Sequence, residues 1–151
     1  MISVDDPRAP DVRELLARHL AFAHETALEP EDVYALDVDG LADPAVTFFS
    51  YRVDGQVLGV AALKRIDDEH AEIKSMHTAA EARGQGIARA LLEHVVEVAR
   101  GRGYKRLSLE TASTPPFVPA RTLYASAGFE PCEPFADYRP SPNSTCMTLY
   151  L

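Results

Sequence analysis

Apolar positions recur along this chain at two spacings, and the points where one gives way to the other delimit its elements. Ile2, Ser3 and Val4 form a short β-type start. Val12, Leu15, Leu16, His19, Leu20, Phe22 and Ala23 then follow the three-to-four spacing of an amphipathic helix, with Asp11 as its cap. Pro30-Glu31-Asp32 predicts a second, short helix over residues 33–36, and the aspartate-rich stretch 37–44 predicts a loop. Residues 46–53, 56–66 and 70–78 predict three consecutive antiparallel strands, the first rich in β-branched and aromatic side chains. Asp54-Gly55 is the first turn between them, and Gly59 marks a bulge or a point of tight packing. The strongest helical pattern runs from residue 84 or 85 to 100. Ile87, Ala88, Leu91, Leu92, Val95, Val98 and Ala99 form its apolar stripe, and Gly101-Arg102-Gly103 stops it. A strand over 104–110, a helix over 117–127 ended by Gly128, a short strand over 129–132, an irregular proline-bearing segment over 134–144 and a closing strand over 145–151 complete the order. Neither repeats nor a low-complexity linker interrupt it, so residues 1–151 are expected to form one domain.

One junction carries chemistry. The third strand of the meander runs through Met76-His77-Thr78 into Ala79-Ala80-Glu81-Ala82-Arg83-Gly84-Gln85-Gly86, and Ile87-Ala88 opens the long helix. Strand, glycine turn and helix together gather unpaired backbone N–H groups at a helix N-terminus, behind which the macrodipole is positive; such a place suits a phosphate or pyrophosphate. Gly84 and Gly86 tolerate positive φ and remove the Cβ from the approach, and Arg83 adds a charge at the rim. A Walker-type loop would need Gly-Lys-Ser/Thr here, but Gly86 is followed by Ile87-Ala88. A dinucleotide fingerprint would need a third glycine.

Composition narrows the field further. The chain is 46% apolar and 25% charged with a net charge of −8, ordinary for a globular protein and contrary to nucleic acid as a main partner. An acidic surface is compatible with a cationic or amine-bearing substrate. The N-terminus lacks the basic and apolar regions of a signal peptide, and the chain has no run of about 18 apolar residues, so neither secretion nor a membrane span is expected. Cys132 and Cys146 are far apart without a Cys-x-x-Cys pattern, which points to free thiols in the cytoplasm and no zinc site. Asp37-x-Asp39-Gly40 lacks the other ligands of a calcium loop, so no metal is expected.

Arg83-x-x-Gly86-x-Ala88 resembles the acyl-coenzyme A pyrophosphate loop of the GNAT superfamily of N-acyltransferases, and Leu123-Tyr124-Ala125-Ser126-Ala127-Gly128-Phe129 is similar to that family's late Leu-Tyr-x-x-x-Gly-Phe signature. The predicted element order matches the GNAT fold over nearly the whole chain. The resemblance implies an α/β (α+β) fold, with a mixed, mostly antiparallel sheet of six to seven strands flanked by about four helices. It implies an acetyl-CoA-dependent N-acetyltransferase acting by direct attack in a ternary complex. Met76, His77 and Thr78 would then face the pantetheine arm, Arg83, Gly84, Gln85, Gly86, Ile87 and Ala88 the pyrophosphate, and Arg121 either a coenzyme A phosphate or solvent. Tyr124 would donate a proton to the departing thiolate. Where many members carry an asparagine, this chain has Phe117, so a hydrogen bond to the pantetheine is either missing or supplied by Ser113 or Thr114.

Three candidates for the base remain open: Glu72, whose place on the entering strand matches a catalytic glutamate of some members, Glu110 on the following strand, and a water chain. By the period-two rule Glu72, Lys74, Met76 and Thr78 are expected on one face, where Lys74 would pair with Glu72 and hold it ionised, making it a poorer base; a purely structural pair is the alternative. The acceptor is expected to be a small-molecule or amino-acid-like amine, with a protein lysine or peptide N-terminus as the alternative. Asp37, Asp39, Asp137 and Tyr138 are candidates to line its site. An acyl-CoA-binding regulatory protein without turnover is the competing class, a plain nucleotide-binding module a weaker one, and the last strands are a candidate homodimer surface.

Overall fold

The computed structural model describes residues 1–26 and 38–151. The predicted helix over 33–36 and Asp37 lie outside the described residues. The elements are β1 (Ile2–Val4), α1 (Pro10–Thr26), α2 (Val38–Leu41), β2 (Val46–Val53), β3 (Gln56–Arg65), β4 (His70–Thr78), α3 (Ile87–Gly101), β5 (Arg106–Ala112), α4 (Val118–Ser126), β6 (Glu130–Cys132) and β7 (Ser144–Tyr150). They build a seven-stranded sheet in the order β1-β2-β3-β4-β5-β7-β6, in which β4 and β5 are parallel and the other neighbours antiparallel. One turn of helix, α2, occupies part of the stretch expected to be a loop; Leu41, 1% exposed, joins the core from it.

Helices α1 and α3 lie on opposite faces. On β2, Tyr51 pairs with Gly59 and therefore shares its face, while Arg52 points the other way. A Cβ built on Gly59 would stand 2.8 Å from Ile87 Cγ2 and 2.9 Å from Leu91 Cδ1, so glycine at this position lets α3 sit close against the sheet. Arg52 on the opposite face reaches α1, donating from Nη1 to Asp11 at 2.6 Å. Gly59 thus answers to tight packing, and a bulge sits beside it, because the β2–β3 register slips between Tyr51 and Arg52.

The stripe on α3 buries Ile87, Leu91, Leu92, Val95, Val96 and Ala99. Full burial of a leucine or valine contributes about 1.5–3 kcal/mol, so this helix is held mainly by its packed face. Its start differs from the sequence expectation. Gly86 is the N-cap, at φ 79°, and Gly84 is at φ 80°, so both glycines lie before the helix, in left-handed turns.

Candidate active site

Strands β4 and β5 pair only as far as Ile73 opposite Leu109, although β4 runs on to Thr78 and β5 to Ala112. Their divergence opens a cleft of about 620 Å³, within the range of small-molecule sites. The N-terminus of α3 and the glycine turns form one end, the last turns of α1 and the start of α4 its sides, and Tyr138 and Asn143 belong to the segment between β6 and β7 that closes the other side.

A bulge shapes the β4 wall. His77 pairs with Val60 and Lys74 with Ala62, so Ser75 and Met76 together oppose Ala61 alone. Ser75 takes φ 55°, unusual for a residue with a Cβ. The bulge resets the alternation, because Val60 and Ala62 share a face and so must Lys74 and His77. Thr78, opposite Gly59, lies on the α3 face. The expected common face for Glu72, Lys74, Met76 and Thr78 is therefore broken at the bulge. Nothing in the side chain of a serine announces such a kink.

Of the residues singled out from sequence, Met76, His77, Thr78, Arg83, Gly84, Gly86, Ile87, Ala88, Glu110 and Tyr124 line the cleft together. Glu72, Gln85 and Arg121 do not. Arg121 is instead turned to the backbone, donating from Nη1 to the carbonyls of Ala112 at 2.6 Å and Thr114 at 3.1 Å, where it ties α4 to the end of β5. Asp39 forms an exposed ion pair with Arg8 at 3.5 Å. Missing from the sequence expectation were His19 and Phe22 of α1, which reach the cleft, and Asn143. His19 and Phe22 fit a helical apolar stripe and carried no other signal.

Four buried polar atoms have no partner among the described residues: His19 Nδ1, Ser75 Oγ, Thr78 Oγ1 and Thr114 Oγ1. All four residues line the cleft. Leaving a buried polar group unpaired costs roughly 1–3 kcal/mol, so four orphans around one cavity fit a polar ligand. The Tyr124 hydroxyl points at Met76 Sδ at 3.8 Å, a weak sulfur acceptor, and burial, with the Glu110 charge second, pushes its pKa up to about 12. It is a protonated donor at neutral pH. The rings of His19 and His77 lie 4.9 Å apart, and burial holds each imidazole neutral down to about pH 4, with His19 and the nearby arginines adding to the effect on His77.

Glu72 is 3% exposed. Its carboxylate accepts a hydrogen bond from the Tyr138 hydroxyl and faces Lys74 Nζ at 3.4 Å, and Lys74 Nζ donates to the Tyr138 oxygen at 2.7 Å. Glu110 accepts from Ser144 Oγ at 3.0 Å. Among the described residues no group of three or more histidine, cysteine or acidic side chains is placed to hold a metal ion, and no helix is long and apolar enough to cross a membrane.

A glycine-turned helix N-terminus at one end of a split parallel pair, with a buried tyrosine donor in the wall of the same cleft, can hold a phosphate-bearing thioester. The family model described as the acetyltransferase (GNAT) family matches residues 9–129. The chain belongs to the GNAT acetyltransferase family. It is 46% identical over 149 residues to the uncharacterized N-acetyltransferase YsnE of Bacillus subtilis (strain 168), covering 97% of each chain. It is 43% identical over 150 residues to the uncharacterized N-acetyltransferase YedL of Escherichia coli (strain K12), covering 99% of this chain and 94% of the relative. Its fold superposes on a proposed acyl-CoA N-acyltransferase from Klebsiella pneumoniae with a TM-score of 0.84 at 27% identity, covering 100% and 97% of the two chains. A GNAT acetyltransferase of Elizabethkingia anophelis, solved with acetyl-CoA bound, shares the fold at a TM-score of 0.72 and 21% identity, covering 100% and 97%. The chain is thus a small GNAT N-acetyltransferase, and its family uses acyl-CoA.

Proposed function

We propose that this GNAT enzyme transfers an acetyl group from acetyl-CoA to the primary amine of a small, amino-acid-like molecule by direct attack, with both substrates in the cleft between β4 and β5. The observation that carries this reading is the cleft itself: the N-terminus of α3 opens into one end and the Tyr124 hydroxyl into its wall. A protein or peptide amine is the alternative acceptor, and the chain is taken to act as one unit in the cytoplasm.

Arg83, Gly84, Gly86, Ile87 and Ala88 would hold the pyrophosphate through backbone N–H groups and the helix dipole. Met76, His77 and Thr78, beyond the end of the β4–β5 pairing, would offer backbone groups to the pantetheine arm in the manner of an added strand. Thr114 is the better substitute for the asparagine that Phe117 replaces: its hydroxyl is buried and unpartnered, whereas Ser113 Oγ already pairs with Thr145 Oγ1 at 2.6 Å. Acetyl-CoA, when bound, supplies the activated thioester. Tyr124 then gives its proton to the departing sulfur, and the backbone at the bulge polarises the carbonyl. Lys74, Glu110 and Tyr138 form the polar part of the wall offered to the acceptor, with carboxylate charge suited to an ammonium group.

Calorimetric titration with acetyl-CoA, followed by thiol release across a panel of primary amines, tests this function. Saturable binding with amine-dependent release is the expected result. Binding without release from any small amine, but with release from peptides, would move the acceptor to the alternative class. Absence of binding by folded protein would overturn the proposal.

A further inference from the structure

Glu72, the residue whose position suggests a base, does not reach the cleft surface, whereas Lys74 and Tyr138 do. Tyr138 belongs to the segment between β6 and β7, where buried Phe135 packs against it with ring centroids 4.9 Å apart. That packing, the hydrogen bond to Glu72 and the hydrogen bond from Lys74 fix the phenol oxygen against the carboxylate, on a residue that itself lines the cavity. Of the two cavity-lining residues that hydrogen-bond Glu72, Tyr138 is the one whose hydroxyl can both give and take a proton, whereas the Lys74 ammonium only donates.

We propose that Tyr138 meets the acceptor nitrogen and relays one proton from the acceptor ammonium to Glu72. This deepens the N-acetyl-transfer function and rests on it. The ammonium gives a proton to Tyr138 Oη as Tyr138 gives its own to Glu72 Oε2, so the tyrosine ends unchanged, Glu72 neutral and the amine uncharged. When the nitrogen–carbon bond forms and the carbon–sulfur bond breaks, the nitrogen gives up a second proton, which passes through water in the cleft to the Tyr124 oxygen that protonated the sulfur. Glu72 returns its proton to water at the end of the cycle.

The two transfers at Tyr138 are coupled. Burial and the Glu72 charge, with Glu110 and the Cys146 thiol as further neighbours, hold the Tyr138 phenol well above its ordinary pKa, so it does not ionise alone. The Lys74 ammonium 3.4 Å from Glu72 balances the carboxylate before the proton arrives. Tyr138 is then a catalytic residue that touches the acceptor, and Glu72 acts through it.

The test uses the full chain with acetyl-CoA and hydroxylamine, glycine, aspartate, lysine and tryptamine as probes, following thiol release. Tyr138→Phe keeps the ring and removes the relay oxygen; it should lower kcat by about a hundredfold, the scale of a lost acid–base group, while acetyl-CoA affinity by calorimetry stays within about twofold of wild type. Glu72→Gln should do the same, and the double variant should be no slower than either single one, since both break one path. The pH dependence of kcat/KM should lose its base limb in Tyr138→Phe and follow the free amine alone. A Tyr138→Phe enzyme within about threefold of wild-type kcat, an effect on acceptor KM alone, an unchanged base limb or multiplicative losses in the double variant would overturn the relay and leave the acetyltransferase standing. If Glu72→Gln fails to fold, the kcat and pH limb of Tyr138→Phe decide alone. A wild-type chain that binds acetyl-CoA but releases no thiol with any probe would overturn the small-amine function, and the relay with it.

Discussion

The two ends of the cleft are made by different means. At the proposed acyl-CoA end the groups are backbone: the N–H groups where α3 begins, exposed by two left-handed glycines and aimed by the stripe that packs α3 on the sheet. At the proposed acceptor end they are side chains, Glu72, Lys74 and Tyr138, separated by 64 and 66 residues across the Tyr138 contacts and partly or wholly buried. A backbone site needs only a short run of residues of the right kind. A side-chain cluster needs the whole sheet to bring it together, and its members depend on one another, because each leaves a buried partner unpaired if it is lost.

That interdependence predicts the largest effect. Lys74→Met removes the cation from a pair whose side chains are 9% and 4% exposed. It should destabilise the chain by about 3–5 kcal/mol, the usual cost of an orphaned buried charge, read as a lower midpoint in denaturant. A change under about 1 kcal/mol would mean that the acceptor end is as solvated as a surface pair, and the contrast would fail.

At the backbone end, Gly86→Asp places a Cβ at φ 79° and a carboxylate where the pyrophosphate should lie. Acetyl-CoA affinity should fall by at least about a hundredfold, equivalent to about 2.7 kcal/mol, with only a modest loss of stability. Tyr124→Phe is expected to separate binding from turnover: kcat lower by about ten- to a hundredfold and affinity nearly unchanged. Unchanged kinetics would remove Tyr124 from the reaction.

The neutral histidine pair in the cleft lining gives a pH signature. His19 and His77 have folded pKa values of about 4 against an ordinary 6.5, so the unfolded chain binds their protons first as pH falls. Stability should be unaffected by this pair above about pH 6.5 and decline between there and about pH 4, by at most about 1.4 kcal/mol per pH unit for each ring. A double His19→Gln, His77→Gln variant should flatten that slope. The smallest effect is expected at Arg121→Ala: its two hydrogen bonds go to carbonyls, so acetyl-CoA affinity should change less than about threefold and without salt dependence. A tenfold, salt-sensitive loss would return Arg121 to the coenzyme A phosphates.

The same contrast explains what the sequence made legible. The three-strand meander, the long helix and the glycine turn depend on local periodicity and on residues with special backbone preferences, and each appears within a few residues of its expected limits. The Lys74–Glu72 pair was legible from the period of two and stands at 3.4 Å; that Arg121 turns to the backbone and Glu72 is withheld from the cleft was not, because a side chain's direction depends on what stands opposite. Arg121 meets two open carbonyls at the end of β5, and Glu72 is covered by a tyrosine from a proline-bearing segment without periodicity. The bulge at Ser75-Met76 had no signal at all, yet it decides which residues of β4 look towards α1 and which towards α3.

In the proposed complex acyl-CoA lies between β4 and β5 with its pyrophosphate on the turn before α3. Backbone amide shifts of the labelled protein, followed by NMR during titration with acetyl-CoA, test it most directly. The largest saturable changes are expected on Gly84, Gly86, Ile87 and Ala88, with a second group on Met76, His77 and Thr78. Shifts confined to other surfaces, or none at saturating ligand, would contradict it.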